Sequence, residues 1–282
     1  MFGSPGASLR QLYNRLMTEE PLSAGDVRSI VRIGDKVHRP VHWWTPAVHD
    51  LLNYLAAAGL PYSPRVLGFD SAGREVLDYI DGESGRDGWA KITGDAGLRK
   101  FARLLRSYHD AVAGYRPAAR LEWVTGATSV APGEIICHGD FGPWNIVWRG
   151  ADPVALIDWD IAHPALPEDD ILYALEYCAP FRDDEMTIAW HHFPEVPDRR
   201  RRIEVFLEAY GTGPIADITA KVARLQRTVG EREAYLARRG VQPQADWVAN
   251  GDLDAVERRA RWTERNPHLF EPTGRRAGGA EH

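Results

Sequence analysis

Cysteine is almost absent: Cys137 and Cys178 are the two in 282 residues. Two thiols make no disulfide framework, and neither belongs to a C-x-x-C pair, so no zinc or redox site is expected. Positive charge is not in surplus either. Lys plus Arg number 34 against 40 Asp plus Glu, a net charge of −6 at pH 7. That balance argues against a nucleic-acid partner, which calls for a basic surface. No apolar run approaches the roughly 20 residues that span a bilayer, so no membrane partner is expected. Met1 to Arg10 lack the basic start and apolar run of a secretory signal, and the expected compartment is a reducing cytoplasm. Tryptophan, by contrast, is abundant at ten residues. Aromatics on that scale fill cores and line ligand clefts.

The first eighty residues read helix, hairpin, helix, hairpin. A helix is expected over Ser8 to Met17, then two strands from Ser29 to Val41 around Gly34-Asp35. Thr45-Pro46 gives an N-cap with proline at the first helical position, and the helix over Ala47 to Ala58 stops at Gly59. Strands over Arg65 to Phe69 and Arg74 to Ile80 flank a turn at residues 70–73. This is a small α+β lobe with an antiparallel sheet, residues 1–82. Residues 81–93 are polar and glycine-bearing, a linker. Beyond it, Leu98, Phe101, Leu104, Leu105, Tyr108 and Val112 keep helical spacing, and further helices are expected around 171–177, 201–210, 218–236 and 253–263. The second lobe, residues 83–271, is therefore mainly helical, and 272–282 reads as a disordered tail.

Two short apolar runs, Glu134 to Cys137 and Val154 to Ile157, each end in a charged cluster. The first cluster is His138-Gly139-Asp140-Phe141-Gly142-Pro143-Trp144-Asn145, and the second is Asp158-Trp159-Asp160. A hairpin here would bring Asp140, Asn145 and Asp158 toward one end of a sheet. That trio suits phosphoryl transfer, which needs an oriented nucleophile, phosphates held in line and developing charge neutralised by magnesium. Asp158 and Asn145 offer the hard oxygen ligands magnesium takes. Asp140 can accept the hydrogen bond of an attacking hydroxyl. Gly139 and Gly142 would free the loop backbone to converge these side chains.

H-G-D-x-x-x-x-N followed by I-D-W-D resembles the signature of the aminoglycoside phosphotransferase and choline kinase-like superfamily, a relative of the protein-kinase catalytic loop. The resemblance covers most of the chain. It implies a bilobal, protein-kinase-like α+β fold with ATP or GTP and Mg2+ bound between the lobes. By that likeness Asp140 is the catalytic base and Asn145 and Asp158 bind the metal. The backbone of Asp78, Tyr79 and Ile80, in a hinge-like stretch, contacts the adenine edge. The partner it implies is a small-molecule acceptor; no motif speaks to oligomeric state.

Departures accompany the likeness. There is no G-x-G-x-x-G loop and no evident β3 lysine. Arg39 stands in its place, with His38 one register away and Lys36 a third option. The following helix carries His49 and Asp50 but none of the glutamate that usually pairs with that cation. A pseudokinase, binding nucleotide or metabolite without turnover, is the alternative this favours. A second enzyme class, an H-x-D iron oxygenase using His138, Asp140 and His191 or His192, leaves Asn145 and the I-D-W-D run unexplained. His138 reads as a loop-packing residue, and Asp170 as a buried structural carboxylate or N-cap. Asp160 reads as either a supporting group or a helix start. The basic run Arg199 to Arg202 reads as a solvated helix start.

The acceptor is less legible. Nine acidic residues and one basic residue, Arg182, lie between Asp158 and Glu185. They read either as a wall attracting a cationic aminoglycoside- or choline-like alcohol or as a solvated acidic surface. Trp144, Trp159, Tyr173, Tyr177 and Trp190 read either as stacking surface or as core.

Overall fold

The computed structural model describes residues 19–22, 30–117, 119–191 and 193–271. The expected helix over Ser8 to Met17, Ser29, His192 and the 272–282 tail lie outside them. The first sheet holds β1 (Glu20–Pro21), β2 (Val31–Ile33), β3 (Lys36–Arg39), β4 (Val66–Phe69) and β5 (Glu75–Asp78), all neighbours antiparallel in the order β1-β2-β3-β5-β4. Gly34 supplies the positive φ, 64°, that the tight β2–β3 turn demands. The Asp70 carboxylate closes the β4–β5 turn by accepting the Ala72 and Arg74 amides, both at 2.9 Å. Helix α1 (Thr45–Ala57) buries Leu51, Leu52 and Leu55. It starts one residue earlier than expected, with Trp44 at the cap. The Thr45 hydroxyl turns back to accept the His42 amide at 2.9 Å instead of capping forward.

The segment expected to be a plain linker contains α2 (Arg86–Lys91). It is tied to the second half of the chain by a two-bond bridge between Glu83 and Trp148, at 2.9 and 2.8 Å. A Cβ on Gly88 would come within 2.0 Å of the Pro143 carbonyl oxygen, so α2 rests on the loop before Asn145 only because that residue is glycine.

The remainder is mainly helical: α3 (Asp95–Val112), α4 (Pro167–Cys178), α5 (Asp184–His191), α6 (Arg199–Tyr210), α7 (Ile218–Arg238), α8 (Gln244–Ala249) and α9 (Asp252–Arg265). The six apolar residues spaced along α3 are all buried, as their periodicity predicts. They join one continuous core reaching from Leu51 of α1 to Phe206 of α6. Two short antiparallel pairs carry the polar clusters: β6 (Ile135–Cys137) with β9 (His163–Ala165), and β7 (Ile146–Arg149) with β8 (Asp152–Leu156). Among the described residues no helix is long and apolar enough to cross a membrane.

The basic run at the start of α6 is not simply solvated. Asp198 caps the helix by accepting the Arg201 amide at 3.0 Å, whereas Arg199 and Arg202 turn inward and are buried. Arg202 donates to the carbonyls of Ile92, Thr93 and Cys178, and Arg199 to those of Pro180 and Arg182. Helical spacing puts these two on one face, and the loop carbonyls there need donors.

Candidate active site

The loop from His138 to Asn145 is held from behind by α4. Asp170, in the first turn of that helix, is buried and accepts the His138 amide at 2.7 Å and the Gly139 amide at 2.9 Å. His109 Nε2 lies 3.2 Å from the same carboxylate. Burial alone would raise this carboxyl. The hydrogen bond from His109 and the Gly139 amide outweigh it and hold it below the usual range. Asp170 is therefore the buried structural carboxylate expected, while the helix cap itself is Leu166. His138 is also buried, and burial pushes it toward the neutral form. Its Nε2 donates to the Ile157 carbonyl at 3.1 Å, leaving Nδ1 to accept the Asp140 amide at 3.3 Å. Gly139 has φ 75°, and a Cβ there would approach the Ile161 carbonyl oxygen to 2.4 Å. Gly142 is extended, contrary to expectation. Its need is for space, because a Cβ would stand 2.3 Å from the Trp144 ring.

Thus anchored, the loop presents Asp140. Asn145 Nδ2 donates to Asp140 Oδ2 at 2.8 Å and to the Asp140 carbonyl at 2.9 Å, which aims the Asn145 amide oxygen elsewhere. The Tyr173 hydroxyl donates to Asp140 Oδ1. Burial first, then the Asp140 charge, pushes that phenol well above its ordinary range, so it remains a donor. No sequence motif signals this contact, which depends on α4 crossing the loop.

Asn145 and Asp158 meet at the open end of the β7–β8 hairpin, where the Ile157 amide donates to the Asn145 carbonyl at 2.9 Å. Asp158 adopts φ 62° and ψ 67°, one of two non-glycine residues at positive φ among those described. A left-handed aspartate is a strained choice of the sort functional sites retain.

Arg39 reaches the same place from β3. It bonds Asp160, lies 3.6 Å from Asp158 Oδ1, and places Nε 3.2 Å from Glu75. Burial opposes its charge, but Asp160, Asp158 and Glu75 together hold it protonated. His38 points to the other face and pairs with Asp70 at 2.8 Å, and Lys36 is exposed. The glutamate missing from the helix after β3 comes from the sheet. Glu75 is the direct cross-strand partner of Arg39, and His49 of α1 completes the contact at 2.8 Å. Asp160 also accepts the Trp44 indole N–H at 3.2 Å, which makes it a supporting group for Arg39.

Cavities flank the loop on both sides. The one against the sheet, about 320 Å³, has apolar walls that include Val37, Leu77, Ile80 and Val147, with Arg39, Asn145 and Asp158 among its polar lining. Asp78, Tyr79 and Ile80 all line it. The Asp78 amide is spent on the Arg65 carbonyl at 3.0 Å and the Tyr79 amide on that of Asp35 at 2.8 Å. The hinge stretch thus brings fewer ligand-facing donors than expected, because β5 is paired on both sides. The second cavity, about 770 Å³, is lined by Asp140 and by rings from α2, α4, α5 and α8. The bond from Asn145 to Asp140 joins the two.

The acidic run does not wall the second cavity: none of its nine members lines it. Asp158 faces the first cavity; Glu168, Asp184 and Glu176 pair with Lys221, Arg199 and Arg182; Asp183 caps α5. Of the five aromatics singled out, Trp144, Tyr173, Tyr177 and Trp190 line the cavity, while Trp159 is core against Tyr108 and His138. The oxygenase triad does not form among the described residues: both His138 nitrogens are engaged, and His191 packs on Trp89 and Tyr177. Cys137 and Cys178 are buried free thiols.

Residues 127–205 match a family model described as the phosphotransferase enzyme family. The trifolitoxin immunity protein of Rhizobium leguminosarum bv. trifolii is 33% identical over 195 residues, covering 67% of this chain and 73% of that protein. A choline/ethanolamine kinase family protein from Mesorhizobium loti superposes with TM-score 0.55 at 16% identity, over 93% of each chain. Amicoumacin kinase hAmiN, solved with AMP-PNP, Ca2+ and Ami, gives 0.56 at 11% identity over 93% of this chain and 94% of that one.

Proposed function

Because this chain belongs to the phosphotransferase enzyme family, and has the bilobal kinase-like fold of the choline kinases and aminoglycoside phosphotransferases, we propose that it transfers the γ-phosphoryl group of ATP or GTP to a hydroxyl of a small molecule. One observation carries this reading. Asp140 lines one cavity and Asn145 and Asp158 line the other, with the Asn145 side-chain amide bonded to Asp140 between them. A phosphoryl donor and a hydroxyl acceptor need that division.

In this account the lobes meet at Gly82–Glu83. The apolar cavity takes the nucleotide base, with the Ile80 amide offered to the adenine or guanine edge and Arg39 directed to the phosphates. The donor set fits Mg2+. Asn145 spends its side-chain N–H on Asp140 and lines one cavity with the Asp158 carboxylate, so its amide oxygen and that carboxylate would be the hard-oxygen donors. When bound, the ion would neutralise charge developing on the transferred group. Asp140 accepts the acceptor's hydroxyl proton, and Asn145 and Tyr173 fix the carboxylate for that contact. Glu75 and His49 hold Arg39 in place of the usual helix glutamate, so the departure from the family pattern does not favour loss of turnover. A cytoplasmic compartment, where these nucleotides are held, is part of the same reading. The immunity protein's name makes hydroxyl-bearing toxins the first acceptors to test.

Thermal unfolding with ATP or GTP, each with and without magnesium, tests the nucleotide site, since a ligand of the folded state raises Tm by mass action. A magnesium-dependent rise that Asp158→Ala removes is expected. No rise with either nucleotide sinks the reading.

A further inference from the structure

The cavity beside Asp140 is built unlike a receptor for polycations, and this bears on the acceptor that the proposed kinase activity requires. Its charged lining comprises four arginines, Arg86, Arg182, Arg232 and Arg259, against three carboxylates, Asp140, Glu233 and Asp252. Of those carboxylates, Asp140 is the proposed base and Glu233 lies 3.5 Å from Arg232. Glu176, buried beside the lining arginines, already faces two guanidiniums, Arg259 at 3.1 Å and Arg182 at 3.5 Å. No surplus of negative charge is left for a ligand carrying several ammonium groups.

The rings have a similar history. An aromatic cage recognises a quaternary ammonium by offering open π-faces. Here the Tyr177 ring is approached by the chain's own Arg182 guanidinium at 5.2 Å and edge-on by Trp144 at 4.7 Å. Two tryptophans remain open. Trp190 of α5 is 66% exposed and Trp247 of α8 is 42% exposed, and both line this cavity. Large exposed indoles on separate helices of one cavity offer flat apolar surface rather than anionic sites. A volume of about 770 Å³ lies within the usual range for sites that enclose drug-sized ligands.

From this we infer that the acceptor is a hydroxyl compound with a flat aromatic or polycyclic body and no net positive charge, its body seated between Trp190 and Trp247 and its hydroxyl at Asp140. The inference rests on the kinase reading for the reaction but not for the binding, so the two are tested apart.

Binding of naphthalenemethanol and mandelate, as neutral and anionic aryl alcohols, is measured against choline and kanamycin by calorimetry, without nucleotide. The wild-type chain is compared with Trp190→Ala and Trp247→Ala. At least one aryl alcohol should bind, and each substitution should weaken it roughly tenfold, while neither cationic alcohol binds comparably. The magnesium-nucleotide thermal shift, measured on the same variants, should be unchanged. Because both indoles are exposed, these variants are expected to fold, and an intact nucleotide shift checks that they do. Tighter binding of choline or kanamycin, aryl-alcohol binding indifferent to both substitutions, or no aryl-alcohol binding at all overturns the inference and leaves the kinase reading standing. Aryl-alcohol binding of the expected pattern in a chain that shows no nucleotide shift would instead keep the inference and remove the kinase reading.

Discussion

At the scale of single residues, the proposed chemistry depends on what holds Asp140 and Arg39. Asp140 is gripped by Asn145 on one oxygen and by Tyr173 on the other. Removing the phenol hydroxyl should loosen the carboxylate's aim without disturbing the nucleotide cavity. Tyr173→Phe is therefore expected to lower kcat about tenfold with nucleotide affinity unchanged, since small errors of orientation are costly in the transition state. Steady-state kinetics checks this, and an unchanged kcat would show that Tyr173 is only packing. Glu75→Gln should act on the other cavity. It leaves Arg39 with one fewer buried charge partner and should raise the nucleotide Kd with a smaller effect on kcat, measured by titration. The Asp140 and Asn145 positions were legible because they stand five residues apart in one loop. Tyr173 and Glu75 were not, because their contacts depend on a helix crossing and a strand register.

At the scale of elements, the short pairs β6–β9 and β7–β8 contribute little stability of their own, and helices fix them. Asp170 makes α4 the clamp for the loop, taking two of its amides on one carboxylate. Asp170→Ala would leave those amides unpaired inside the protein and is expected to cost about 3 kcal/mol or more. Chemical denaturation should read that loss. The basic start of α6 makes a second clamp. Arg202 serves three carbonyls from two other segments, so Arg202→Ala should destabilise by a similar amount, whereas exposed Arg201→Ala should not. Sequence periodicity located most helices to within a few residues, and it located α3 by its buried stripe. It failed where polar residues do structural work. Four consecutive arginines look solvated in a string of letters, yet helical spacing turns two of them into the core. The nine-carboxylate run failed for the same reason: Asp170 holds loop amides, Asp183 caps a helix, and Asp160, Glu168, Glu176 and Asp184 pair with basic side chains from elsewhere.

For the whole molecule, acid should act through buried imidazoles before it acts through carboxylates. Burial, aided by the Arg232 charge, lowers His163 from 6.5 to about 4, and His138 is lowered as well. As pH falls below 6.5 the unfolded chain takes up protons that the folded chain refuses. The His163 contribution to stability should be lost between pH 6.5 and 4 and level off as His163 titrates in the folded state. His163 alone accounts for a loss on the order of 3 kcal/mol. Asp170, held below its ordinary 3.8, should contribute a further loss only below that pH. Melting curves across the range check the sequence of events; a His163→Asn variant that keeps the full decline above pH 4 would contradict the assignment. The bilobal arrangement itself was readable because small-lobe hairpins and a helical remainder leave different periodicities. The division of the cleft into two cavities was not, since it exists only once residues from β3, β5, the loop and α4 are assembled.

In the proposed reaction Asp140 serves the acceptor's hydroxyl while Asn145 and Asp158 serve the nucleotide. Its most direct test is phosphoryl transfer from ATP or GTP into a panel of hydroxyl compounds, with turnover and nucleotide affinity measured together in wild-type protein and Asp140→Ala. Turnover is expected to fall by about 10²–10⁴-fold while nucleotide affinity stays nearly intact. Near-normal turnover in Asp140→Ala would contradict it.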